Sequence, residues 1–196
     1  MTSAFAKVPT AVDPDSTLVA AARHGNLQAF ETLVQRHGDT SLRVATRIVG
    51  PDDAQDVCQE ALLRAFHRLP RLKASGSFRA WLLQITHNSA LDALERRRSE
   101  AVDPATFEGD PDDDRRGPAA RLESTERRDR LECKLEHLPA THRAVLVLRD
   151  VEGLSYDEIA QITETPLGSV KGRLHRARSE LIGLLRRNTY DWELPE

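Results

Sequence analysis

The sequence predicts an all-α protein: two small helical domains joined by a flexible linker. Apolar residues recur every three to four positions through most of the chain, and no stretch alternates convincingly as a strand would. One segment rich in Pro, Gly and Asp separates the two periodic regions. Composition agrees, with 39% hydrophobic and 30% charged residues among 196, ordinary values for a folded, helix-rich chain.

Residues 1–14 contain Pro9 and Pro14 without periodicity and read as a flexible tail. From Asp15 onward, Leu18, Ala22, Leu27, Phe30, Leu33 and Val34 form an apolar stripe. Gly25-Asn26 interrupts it, which predicts a short helix and then a longer one ending near Val49. Gly50-Pro51-Asp52-Asp53 stops that helix and starts another, because proline fits a first turn and early carboxylates suit the positive end of the helix dipole. The next helix should run from about Asp53 to Leu69, with Val57, Ala61, Leu62, Ala65, Phe66 and Leu69 on one side. A loop over 70–77 leads into a long helix from about Phe78 to Arg98, striped by Phe78, Trp81, Leu82, Ile85, Leu91 and Leu94. Residues 15–100 thus read as one domain.

Residues 101–122, including Asp110, Asp112, Asp113 and Asp114, read as an acidic Pro/Gly linker unable to bury enough apolar surface to offset ordering. Helical pattern resumes near Glu123, restarts at Pro139 and continues to Arg187, giving a second domain over 123–187 and a short tail over 188–196. No apolar run approaches the roughly 20 residues of a membrane span, and the N-terminus lacks the apolar core of a signal peptide. A cytoplasmic protein without direct membrane insertion is expected. Cys58 and Cys133, far apart in sequence, read as reduced thiols.

The formal charge of -3 is unevenly spread. Lys171, Arg173, Arg176, Arg178, Arg186 and Arg187 crowd a segment in which Glu180 is the sole acid. That segment has the local physics of a helix-turn-helix. Ser155 can cap a helix, with Glu158 three residues on completing a capping box. Ile159, Ala160 and Ile162 should face inward, Thr163-Glu164-Thr165 should turn, and Pro166 and Gly168 should open a second helix. Val170, Leu174, Ala177 and Leu181 form its buried stripe, leaving Ser169, Lys171, Arg173, His175, Arg176 and Arg178 to point outward. A basic, hydrogen-bonding face of this kind fits a major groove.

The stretch RDVEGLSYDEIAQITETPLGSVKGRLHRARSEL is similar to region 4 of the extracytoplasmic-function (ECF) sigma factors. DDAQDVCQEALLRAF resembles their region 2 helix that docks on RNA polymerase, and FRAWLLQITHNSALDALERRR resembles the helix that handles the -10 promoter element. The resemblance covers about residues 15–100 and 123–187, in the family's order. Gly172, Ser169, Leu62 and Glu95 depart from common family residues and bear on the promoter sequence read.

The resemblance implies core RNA polymerase, double-stranded promoter DNA and the melted non-template strand as partners, with an anti-sigma protein as regulator. It assigns the -35 element to Ser169, Lys171, Arg173, His175, Arg176 and Arg178, the last as a phosphate contact or salt bridge. For the -10 strand it points to Lys73, Ser75 and Ser77 in the loop before Phe78, and to Asn88, Asp92 and Arg96 along the following helix. Asp53, Asp56, Gln59, Glu60 and Arg64 form a polar stripe, ordinarily a solvated face, which the resemblance turns into a polymerase-docking surface. Phe78 and Trp81 could stack on bases, but read better as core.

No cofactor is expected. The linker aspartates read as a solvated tract, and Cys133 with His137, even with His142 as a weak third ligand, does not close a zinc site. With no Gly-rich phosphate loop and no nucleophile elbow, an enzyme is not expected. The alternative, a polymerase-independent operator-binding regulator, leaves residues 51–98 unexplained.

Overall fold

A computed structural model describes residues 15–72, 77–100 and 131–187. The expected tail, linker and terminal segment lie outside these residues, as do Lys73 and Ser75. The helices are α1 (Ser16–Arg23), α2 (Leu27–Val49), α3 (Pro51–Arg68), α4 (Phe78–Glu100), α5 (Ala140–Leu146), α6 (Tyr156–Ile162) and α7 (Leu167–Arg187). Residues 131–136 are also helical. No strand occurs among the described residues.

Local chemistry sets the boundaries. Asn26 caps α2, its side chain accepting from the Ala29 amide at 3.0 Å. Gly50, at φ 92°, turns the chain between α2 and α3 in a region that L side chains rarely adopt. Pro51 occupies the first turn of α3, so this helix starts two residues before the expected Asp53. A 3-10 turn over Leu69–Arg71 closes it.

Two apolar clusters hold the molecule together. The first lies wholly within α1–α4 and their connections, around Val19, Leu33, Ala61, Ala65, Leu69, Phe78, Leu82 and Ile85. The second joins both halves of the chain. Val44, Ala45, Ile48, Val57, Leu83 and Ala90 meet Leu135, Leu138, Val145, Leu148, Ile159, Ile162, Val170 and Leu174.

Helix α4 explains how this is possible. It buries Phe78, Leu82 and Ile85 in the first cluster, and Leu83 and Ala90 in the second. A helix covered on two sides lacks one clean apolar stripe. The expected stripe is accordingly only partly right: Leu91 and Leu94 are half-buried, while Leu83 is 1% exposed.

Candidate nucleic-acid and polymerase-docking surfaces

The helix-turn-helix forms as its residues dictate. The Ser155 hydroxyl accepts from the Glu158 amide at 3.2 Å, and Glu158 accepts from the Ser155 amide at 2.8 Å. Donation to the carboxylate from the Ser155 amide, and from the Ser155 hydroxyl at 2.7 Å, holds the Glu158 carboxyl below its usual range. Glu164 takes a left-handed φ of 51° in the turn, and the Thr163 hydroxyl donates to the Ile159 carbonyl at 2.8 Å. The Pro166 carbonyl accepts from the Ser169 amide at 2.8 Å as α7 begins.

On α7, Val170, Leu174 and Ala177 are buried, and Ser169, Lys171, His175 and Arg176 are exposed. Ala160, expected inward, is half-buried; Ile159 and Ile162 carry the interior of α6. Two outward residues depart from the expected picture. Arg178 forks onto Asp150, with Nη2 2.5 Å and Nε 3.0 Å from its carboxylate oxygens, so it is the salt bridge among the two expected roles. Arg173 is only partly exposed and lies close enough to His87 on α4 to disfavour protonation there.

Sequence reasoning missed Tyr156 and Arg149. The Arg149 guanidinium lies 4.8 Å from the Tyr156 ring centroid and the Lys171 ammonium 5.8 Å from it, tying α6 to α7. Nothing in their spacing announces this, because it depends on how the turn folds.

In the first half, the sites that sequence kept apart are one network. Glu60 pairs with Arg64 at 2.6 Å and with Arg96 at 3.2 Å, and Arg64 pairs with Asp92 at 2.9 Å. Asp53 pairs with Arg97 at 3.5 Å. Two proposed docking residues therefore brace two proposed -10 residues across α3 and α4. Asp56 and Gln59 are exposed. Asn88 is half-buried, its Oδ1 3.1 Å from His87 Nδ1. Ser77 is exposed and helps cap α4 by accepting from the Ala80 amide at 3.5 Å.

Beside Ser77 opens a cavity of about 320 Å³, walled by Arg71, Leu72, Ser77, Trp81 and Gln84, with Gln161 contributed by α6. Phe78 is fully buried core, as expected. Trp81 only packs against that core and also lines the cavity. Cys58 is buried and Cys133 exposed, and no disulfide joins them. His142 is held by Glu180 at 3.0 Å, and His137 Nδ1 lies 2.9 Å from the Cys133 carbonyl oxygen.

Burial lowers the pKa of His87 from an ordinary 6.5, aided by the Arg173 charge. The folded protein thus binds fewer protons at this site than the unfolded chain. Stability should be undiminished above about pH 6.5 and decline progressively as pH falls below it. Thermal melts across this range should show that decline, and His87→Gln should shrink it.

Comparison with known proteins follows the same division. Residues 33–100 match Sigma-70 region 2, and residues 128–181 match Sigma-70, region 4. Region 2 followed by region 4 is the plan of a small RNA polymerase sigma factor. The chain is 35% identical over 175 residues to the ECF RNA polymerase sigma factor SigE of Mycolicibacterium smegmatis, covering 86% of this chain and 67% of that protein. It is 33% identical over 175 residues to the ECF RNA polymerase sigma-E factor of Escherichia coli, covering 85% and 92% respectively.

Among solved structures, CnrH in complex with the cytosolic domain of CnrY superposes with a TM-score of 0.67 at 31% identity, covering 89% of this chain and 99% of that one. The sigma factor RpoE bound to the anti-sigma factor NepR from Bartonella quintana shares the fold, with a TM-score of 0.64 at 23% identity, covering 80% and 96%. The chain belongs to the ECF RNA polymerase sigma factors, and its function is transcription initiation.

Proposed function

We propose that this sigma factor divides its work between two units, residues 15–100 and 123–187. The first docks on core RNA polymerase and holds the melted non-template strand of the -10 element; the second reads the -35 element as duplex. One observation carries this most directly: Lys171, His175 and Arg176 are exposed on α7 opposite a stripe of buried Val170, Leu174 and Ala177. Arginine or lysine there can pair with guanine edges, while further cations hold phosphate. Ser169 flanks this face. Arg173, partly exposed on the same helix, adds its charge to this face, whereas Arg178 reaches phosphate only by leaving Asp150.

In the first unit, Ser77 and the neighbouring Lys73 and Ser75 contact the captured strand, together with Asn88. Asp56 and Gln59 present themselves directly to polymerase. Glu60, Arg64, Asp92, Arg96 and Asp53 act as a braced charged surface that sets orientation and encounter rate more than affinity. The chain is a specificity subunit without catalysis of its own. It works in the cytoplasm; no helix among the described residues is long and apolar enough to cross a membrane. The anti-sigma complex of its structural relative supports an anti-sigma protein as its regulator.

Replacing both Glu60 and Arg64 by Ala should weaken binding to core polymerase in a pull-down titration. The fold itself should lose no more than about 1 kcal/mol, because these partly exposed pairs are solvent-screened. Unchanged affinity would remove both residues from the docking surface. An electrophoretic shift with promoter DNA tests the function as a whole. Retardation should be strong only when core polymerase is present, whereas an equally strong, sequence-specific shift by the chain alone would favour an operator-binding regulator.

A further inference from the structure

Arg149, Lys171 and Arg178 gather around Tyr156, the residue that opens α6. The ring centroid lies 4.8 Å from the Arg149 guanidinium and 5.8 Å from the Lys171 ammonium. The Tyr156 hydroxyl lies beside the Arg178 guanidinium. Lys171, His175 and Arg178 are exposed and follow one another at i, i+4 and i+7, so they share one edge of α7. Into this group reaches a carboxylate. Asp150, on the π turn Val147–Val151, accepts from Arg178 Nη2 at 2.5 Å and from its Nε at 3.0 Å.

Arginine takes two oxygens of a phosphate through the same fork. The pair is also open to exchange. Asp150 is 37% exposed and Arg178 47%, and an ion pair that wet is a weak brace between the π turn and α7. What it does firmly is occupy the donors of one cation at the edge of the reading helix. We propose that Arg178 and the Tyr156 hydroxyl form a DNA-phosphate site, and that Asp150 fills this site in place of phosphate, withholding one sequence-independent contact from promoter DNA. The occupied fork is argued from geometry; that the competing anion is a DNA phosphate rests on the function proposed above.

With the Asp150 charge removed, Arg178 neutralises one more phosphate and releases its counterion. Base recognition by the rest of α7 is untouched, so the gain belongs to one point on the backbone rather than to a base pair.

The experiment titrates holoenzyme, reconstituted from core polymerase and the full chain, against a fluorescent promoter duplex over a series of salt concentrations. Asp150→Asn should tighten binding by roughly five- to tenfold near 0.1 M salt and steepen the salt dependence by about 0.9 unit of slope, the effect of one released counterion. Adding Arg178→Gln should return both to within about twofold of wild type. A scan that replaces each phosphate of the -35 element in turn by neutral methylphosphonate then separates a contact from a general change of charge. The Asp150→Asn gain should vanish at one backbone position to which wild type is indifferent. Asp150→Ser serves as a second variant, and circular dichroism confirms that each keeps its helices. No gain in either folded variant, or a gain spread evenly over all positions, overturns the proposal. Arg176→Ala in the same titration separates the two levels. If it weakens binding while Asp150→Asn changes nothing, the phosphate site alone fails. If neither substitution changes binding, the reading of α7 as the DNA-facing helix fails with it.

Discussion

Leu174→Ala should lower the unfolding free energy by about 2–5 kcal/mol, the usual cost of deleting a buried leucine side chain and leaving a cavity. Leu174 is 2% exposed and belongs to the core that both halves share. The loss should therefore appear in one transition, followed equally by probes in the first half and the second, rather than as melting of the helix-turn-helix alone. Promoter activity should fall with the folded fraction. A urea titration followed by far-ultraviolet circular dichroism and by exchange protection in α2 and α7 provides the check. Separate transitions for the two halves would show that the shared core does not couple them.

Arg176→Ala should do the reverse: leave the melting temperature nearly unchanged and strike at recognition. The side chain is exposed on the face opposite Leu174 and Ala177, so no core contact is lost. If Arg176 reads a guanine, transcription from a promoter with its cognate -35 element should drop by about tenfold to a hundredfold, matching the 1–3 kcal/mol of a good bidentate contact. Preference at that base pair should relax as well. If it holds phosphate, binding should weaken evenly across sequences, and the salt dependence should fall by about one unit of slope. Wild-type activity and base preference in a folded Arg176→Ala protein would show that α7 does not present this face to DNA.

The features legible in sequence were those written in short-range spacing. The Ser155–Glu158 capping box, the proline entry to α3 and the Val170–Leu174–Ala177 stripe depend on residues within a turn or two and form as read, while Leu181, read as the fourth member of that stripe, is only half-buried. The illegible features are those in which distant segments meet. Glu152 finds Arg43 across 109 residues and Arg79 across 73, and no periodicity encodes such a meeting. Arg173 fell in the outward group because a helical wheel treats every position off the stripe as solvent, whereas α7 also faces α4 near His87. Helix α4 was misread in part for the same reason: two buried faces blur one stripe. Family resemblance supplied the docking and strand-holding roles, but not the Glu60–Arg64–Asp92–Arg96 ladder that ties them together.

The central claim is that this chain gives core RNA polymerase its choice of promoter, with α7 reading the upstream element. Multiple-round transcription in a reconstituted system tests it most directly, using core polymerase with and without the chain on templates that carry an intact, a -10-substituted or a -35-substituted promoter. Transcript should require the chain and the intact promoter. In the Arg176→Ala protein, the difference between intact and -35-substituted templates should narrow. Chain-independent transcript, or equal transcript from all three templates, would contradict the claim.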